Sequence, residues 1–213
     1  MSRGFGNRRS PIPCQARPDL VAAFHGLSVA NVSDNLHRAV GAVGLRPFHS
    51  GAPLAGTAFT LRTRAGDNAV IHEALDLARP GDVLVIDGGG DISRALIGEI
   101  MMTLAARRGM AGFVIDGAVR DSDALARSDF PVYARAAIHL GPYKAGPGEI
   151  NVPIAVGGMV VHPGDLVIGD ADGVAAFPTS IAEDLLARAL AQAEREAEIL
   201  ARIDAGTYVS GYR

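Results

Sequence analysis

The chain has one cysteine, no tryptophan and no apolar run approaching the roughly 18 residues that a membrane span requires. A lone thiol, Cys14, excludes an intrachain disulfide and a cysteine-rich metal site. It stands in the proline-rich stretch SPIPCQARP, a poor setting for a catalytic nucleophile. Aromatic residues make up only 5% of the chain against 26 glycines, so tight turns rather than aromatic packing are expected to shape the fold. Positive charge is not in excess: the formal net charge is −3, and the one basic cluster is the tail RGFGNRR. Nucleic-acid binders usually carry a basic face, so neither nucleic acid nor membrane is an expected partner. The N-terminus has no apolar segment of the secretory type, which makes the cytoplasm the expected location.

What is present suits a single domain with a sizeable core: 213 residues, 48% of them hydrophobic and 20% charged. Residues 1–17 read as a flexible N-terminal arm and residues 18–213 as the domain. Pro18 opens a short helix that Gly26 stops, and Ser28 is placed to cap a second, VANVSDNLHRAV. GTAFTLRTRA alternates as a strand does, NAVIHEALDLA is helical, and DVLVIDGGG is a buried strand closed by glycines. Ser93 is placed to cap a helix over RALIGEIMMTLAARRG. GFVID is another buried strand, VRDSDALARS a short helix and FPVYARA a short strand. This alternation favours parallel pairing through right-handed crossovers. From Gly148 onward, Pro-Gly and Asp-Gly turns separate several short strands. Thr179 or Ser180 then starts a long last helix with an apolar stripe that includes Leu185, Leu190, Ile199 and Ile203, and Gly206 ends it.

Four places could carry chemistry. In GFVIDGAVRDSDAL, Arg120 and Asp121 follow a strand directly. As a surface ion pair at a helix start they would contribute little. Ligand sites of α/β sheets, however, lie beyond the carboxyl ends of strands. There Arg can hold an oxyanion through its planar fork, and Asp can hold a hard divalent cation. In DGGGDISRALIGEI the glycines lack the G-x-G-x-x-G spacing of a dinucleotide site. Gly98 either lets the helix begin there, with free amides at an anion site, or allows close packing. Asp170, Asp172 and Gly173 read as a tight hairpin turn. Glu194, Glu196 and Glu198 form an acidic patch on the last helix that could meet a metal only with help from another element or subunit. The six histidines show no zinc spacing, and no serine sits in a nucleophile elbow.

Taken in order, VSDNL, RPGDVLVIDGGG, Gly98-Glu99, GFVIDGAVRDSDAL, PGDLVIGDADGV and EREAEILARIDAGTY resemble the RraA-like family over roughly residues 18–212. That family includes class II 4-hydroxy-4-methyl-2-oxoglutarate / 4-carboxy-4-hydroxy-2-oxoadipate aldolases and the RraA regulators of ribonuclease E. The resemblance implies an α/β fold, a β/β/α sandwich of the swivelling-domain type with a long C-terminal helix. It implies a homotrimer or hexamer with active sites between subunits, and a 2-oxo acid substrate. It assigns Arg120 to the pyruvyl part of the substrate and Asp121 to Mg²⁺ or Mn²⁺. Backbone amides of Gly98, Glu99, Ile100 and Met101 would bind substrate, Glu99 would stand beside waters of the metal, and a glutamate of a neighbouring subunit's last helix, best matched by Glu196 with Glu194 and Glu198 as the alternatives, would approach through water. An intact Arg120-Asp121 pair points to the aldolase branch, with oxaloacetate decarboxylation as a side activity. The regulator branch, as a ribonuclease-binding protein without catalysis, is the rival.

Overall fold

The computed structural model describes residues 6–38 and 41–210. The last two residues of the second expected helix, 39 and 40, lie outside the described residues, as do 1–5 and 211–213. In chain order the elements are α1 (Pro18–Phe24), α2 (Val29–Asn35), β1 (Arg46–Pro47), β2 (Leu54–Thr63), α3 (Ala69–Leu77), β3 (Asp82–Asp87) and β4 (Ala95–Ile97). Next come α4 (Glu99–Arg107), β5 (Gly112–Val119), α5 (Ser122–Ala126), β6 (Val132–Ala137), β7 (Gly148–Ile150), β8 (Ile154–Val156) and β9 (Met159–Val161). The chain closes with β10 (Leu166–Asp170), β11 (Gly173–Phe177) and, after a 3-10 turn at Thr179–Ile181, α6 (Ala182–Asp204).

One sheet runs β1-β6-β5-β3-β2-β10-β11, with β4 added to β5 and β7 to β2. Its centre, β2-β3-β5-β6, is parallel. The strand β10 pairs antiparallel with β2 and with β11. The Asp170↔Gly173 pairing makes residues 170–173 the expected Asp-Gly hairpin turn. Alternation along β3 and β5 builds two layers, because successive side chains leave opposite faces of a strand. Leu84, Ile86, Phe113 and Ile115 face α3 and α4, where Ile71, Leu75, Met101 and Met102 complete one core. Val83, Val85 and Val114 face the β8–β9 hairpin, with Val156, Val161 and Tyr133. A third cluster joins α1, α2 and α6 to Leu166, Ile168, Ala175 and Phe177. Each large apolar side chain so buried contributes about 1.5–3 kcal/mol. The result is a β/β/α sandwich of mixed α/β class.

Two expectations change. Ser93 caps no helix: its hydroxyl donates to Asp91 at 2.9 Å. Residues 95–97 are a strand, and the helix waits until Glu99. Ala95, Leu96 and Ile97 are all about 1% exposed, so both faces of this segment are covered, which suits a strand inserted beside β5. The stripe of α6 is also buried only near its start, at Leu185 and Ala189, while Leu190, Ile199, Leu200 and Ile203 remain exposed. Ser28 does cap α2, accepting from the Asn31 amide at 3.4 Å.

Much of the arm is held against the domain. Arg8 pairs with Glu149 at 2.6 Å and Arg9 with Glu73 at 2.6 Å. The Ser10 amide donates to Ile150 O, and Ile150 N donates to Arg8 O. Farther along, Gln15 donates to Asp82, and Ala16 N donates to the Thr57 hydroxyl.

Candidate active site

The site is set by strand register. Strand β4 pairs parallel with β5 so that Ile97 stands beside Val119. The residues that follow, Gly98-Glu99 on one strand and Arg120-Asp121 on the other, therefore emerge together at the carboxyl edge of the sheet. Arg120 N donates to Ile97 O at 2.9 Å, which locks this step. A Cβ on Gly98 would lie 2.4 Å from Asp121 Oδ2 and 2.9 Å from Arg120 Cγ. Backbone angles of −142° and −169° at Gly98 are open to any residue, so glycine is required for space. Both alternatives for Gly98 thus hold: the helix begins there and the packing is close.

Asp121 has the left-handed φ of 58° and ends β5 with a sharp turn. It precedes α5 but caps it with no side-chain bond. Its Oδ2 instead accepts the Glu99 amide at 3.0 Å and so complements the positive end of α4. Arg120 Nε is 3.7 Å from the same oxygen, with both side chains more than 40% exposed. A pair so exposed contributes little to stability.

A helix leaves its first amides without intrahelical partners. In α4 the Glu99 amide is taken by Asp121, while those of Ile100 and Met101 remain for an anion. The three side chains of this turn differ: Glu99 is exposed, Ile100 is 80% exposed and Met101 is buried. Gly98, Ile100, Met101, Arg120 and Asp121 all line one cavity of about 350 Å³. A second depression of about 600 Å³ lies on the α5 side, with Asp123, Arg127 and His139, so Arg120-Asp121 forms the ridge between the two.

Three further residues line the first cavity and were not singled out from the sequence: Asn68, His72 and Lys144. Asn68, 3% exposed, donates its Nδ2 to Leu96 O at 3.0 Å, while its Oδ1 is buried without a partner. Burial, followed by the charge of Lys144, holds the His72 imidazole below its ordinary value. Helical periodicity hid Asn68 and His72 inside an ordinary amphipathic segment. Lys144 carries a signal that could have found it: it is the only lysine in the chain.

Glu196 is not part of this grouping within the chain. It lies on α6, which packs with α1 and α2 against β10 and β11, and it accepts from Gln192 at 2.9 Å. Neither cavity includes it. Among the described residues no cluster of three or more His, Cys, Asp or Glu forms a cage for a metal. What the site offers is one exposed carboxylate, Asp121, whose Oδ2 accepts the Glu99 amide, while the exposed Glu99 side chain lines neither cavity. That donor set suits a hard cation that keeps several waters and completes its shell with substrate oxygens.

Fold and site together define an α/β sandwich in which an Arg-Asp pair at a strand exit faces the open N-terminus of a helix. The family model RraA-like, described as Aldolase/RraA, matches residues 29–176, and the chain belongs to that family. A protein of Halalkalibacterium halodurans, provisionally named 4-hydroxy-4-methyl-2-oxoglutarate aldolase, is 38% identical over 176 residues, which is 82% of this chain and 84% of that one. A solved structure of an uncharacterized protein from Pseudomonas syringae pv. tomato matches with a TM-score of 0.82 at 25% identity, covering 92% of this chain and 97% of that one. The RNA-processing inhibitor RraA from Thermus thermophilis matches with a TM-score of 0.65 at 35% identity, covering 71% and 92%.

Proposed function

We propose that this protein is a divalent-metal-dependent pyruvate aldolase, a lyase. Its substrate would be 4-hydroxy-4-methyl-2-oxoglutarate or 4-carboxy-4-hydroxy-2-oxoadipate, cleaved to pyruvate and a second oxo acid, with oxaloacetate decarboxylation as a side activity. The observation that carries the reading is the meeting of Arg120-Asp121 with the N-terminus of α4 in one cavity. The relatives named as aldolases support it.

Asp121, with water, would hold Mg²⁺ or Mn²⁺, Glu99 would stand beside those waters, and such an ion would supply Lewis-acid polarisation of the substrate's 2-oxo group. The free amides of Ile100 and Met101 receive the substrate carboxylate, where the positive helix end favours an anion. Arg120 faces the 2-oxo oxygen with its fork of donors. Glu99, or Glu196 of a neighbouring copy, takes the proton of the C4 hydroxyl through water. The C4–O bond then becomes the carbonyl of the second product. The electrons of the C3–C4 bond pass into the pyruvate enolate, whose oxygen is stabilised by Arg120, an effect of about 2.7–4 kcal/mol for one well-placed donor. A proton added at C3 yields pyruvate. A neighbouring copy in a trimer or hexamer would bring Glu196 to the rim of this site.

The test is pyruvate release from oxaloacetate with Mg²⁺ or Mn²⁺, repeated with EDTA and with Asp121→Asn and Arg120→Ala. Activity should vanish in all three repeats, and activity that survives them refutes the reading. The likeness to the Thermus RraA supports a second reading, a ribonuclease-binding regulator. It requires wild-type protein without metal-dependent turnover that retains a ribonuclease on an affinity column.

A further inference from the structure

Lys144 is the chain's only lysine, and the other 19 of its 20 Lys and Arg residues are arginines. The wall of the 350 Å³ cavity draws on 13 of the 213 residues, and the one lysine is among them, with Arg120 and Asp121. Its ammonium makes no hydrogen bond or ion pair among the described residues, while the backbone around it is firmly tied. Tyr143 N donates to Gly66 O at 2.8 Å, and Asn68 N donates to Tyr143 O at 3.0 Å. Buried Asp67 accepts the amides of Ala145 at 2.8 Å and Gly146 at 2.9 Å. Arg94 lies 4.1 Å from the centre of the Tyr143 ring and donates to Gly141 O at 2.8 Å. The loop also passes close to the catalytic arginine: a Cβ on Gly141 would stand 3.3 Å from Arg120 Nη1. A fixed backbone thus presents a free, flexible amine to the site.

Lysine and arginine differ in one property that matters here. Both are cations, but a guanidinium does not give up its proton in a protein, whereas an ammonium can. Wherever charge or a fork of donors suffices, this chain uses arginine. The reaction proposed above needs one thing that Arg120 cannot supply, a proton for carbon C3.

On that aldolase reading, we infer that Lys144 is a catalytic residue, the acid that protonates the pyruvate enolate at C3. The enolate's C2=C3 pair forms the new C3–H bond, and the enolate oxygen returns to a ketone. The N–H bonding pair stays on Nζ as a lone pair, and solvent water reprotonates the amine. An enolate carbon is more basic than an amine, so the transfer runs downhill. In reverse the neutral amine removes a methyl proton from pyruvate, so deuterium exchange into that methyl group reports the step by itself.

The experiment compares wild type, Lys144→Arg, Lys144→Met and Lys144→Ala, each with Mg²⁺ and each checked for an unchanged melting temperature. It follows deuterium entry into the pyruvate methyl group by NMR and, separately, oxaloacetate consumption. Exchange should fall by about 10²–10⁴-fold in all three variants, the range for a lost general acid, and by more than consumption falls. Methylamine should restore exchange to Lys144→Ala, and guanidinium should not. A readout free of turnover uses the uniqueness of the residue: an activated ester labels Lys144, resolved from the α-amine by peptide mapping. Oxalate with Mg²⁺, a planar mimic of the enolate, should slow that labelling. Wild-type exchange in Lys144→Arg, or labelling indifferent to oxalate, overturns the inference while leaving the aldolase reading in place. Wild-type protein without metal-dependent consumption or exchange overturns both.

Discussion

Gly98→Ala tests the geometry of the site with a single carbon atom. The added Cβ would meet Asp121 Oδ2 at 2.4 Å and Arg120 Cγ at 2.9 Å, whereas ordinary contact begins near 3.4 Å. One partner must retreat by about 1 Å, and a misplacement of that size costs on the order of 10²-fold in rate. The side chains of Arg120 and Asp121 are more than 40% exposed and free to swing outward. The displaced Asp121 releases the Glu99 amide, a hydrogen bond worth about 0.5–1.5 kcal/mol. The expected result is therefore lopsided: kcat/KM for oxaloacetate falls about 100-fold or more, while the melting temperature drops only a few degrees, since a kilocalorie shifts it by about 2–4 °C at this size. A coupled pyruvate assay and a thermal melt measure the two quantities. A Gly98→Ala protein with wild-type kcat/KM would show that the Arg-Asp pair does not need the position seen here.

Asp67→Asn should lower stability by about 1–3 kcal/mol in urea unfolding, because a buried carboxylate that collects three backbone amides loses acceptor capacity. Burial alone would raise the Asp67 carboxyl, but the amides of Ala69, Ala145 and Gly146 outweigh it and hold it below its usual value. Its contribution is then present above the unfolded value of about 3.9 and lost as pH falls through the lower folded value. The acid limb of a stability-against-pH curve should flatten in the variant. Gly169→Ala should cost about 1–3 kcal/mol with little effect on the site, since its Cβ would press into the Tyr133 ring at 2.9 Å. Leu84→Ala, which empties part of the core beneath α3 and α4, should cost about 2–5 kcal/mol by the same measurement.

Much of the fold is legible in the sequence where a single period dominates. Strand β3, with Val83 and Val85 to one layer and Leu84 and Ile86 to the other, is an apolar run of strand length closed by glycines. Where two periods meet, local pattern and structure part. RALIGEIMM is apolar enough for a helix throughout, yet its first half pairs with β5, because tertiary burial on both sides of Ala95–Ile97 outweighs local preference. Arg120 and Asp121 were visible as a pair at a strand exit. Their link to Gly98-Glu99 depends on the register that sets Ile97 beside Val119, on two separate strands, which no local pattern encodes. Asn68, His72 and Lys144 reach the cavity from two other segments for the same reason. Glu196 lies on α6, outside both cavities, and joins the site only if a second copy supplies it.

The left-handed turn at Asp121 narrows what the position can become. A backbone φ of 58° is comfortable for glycine, asparagine and aspartate and strained for nearly every other residue. A lineage giving up this carboxylate would therefore pass most easily through Asn or Gly. Asn would keep an oxygen to accept the Glu99 amide, leaving helix, loop and cavity shape in place. Loss of chemistry at this corner need not alter the fold at all, so the family can hold working and silent members that backbone coordinates alone would not tell apart.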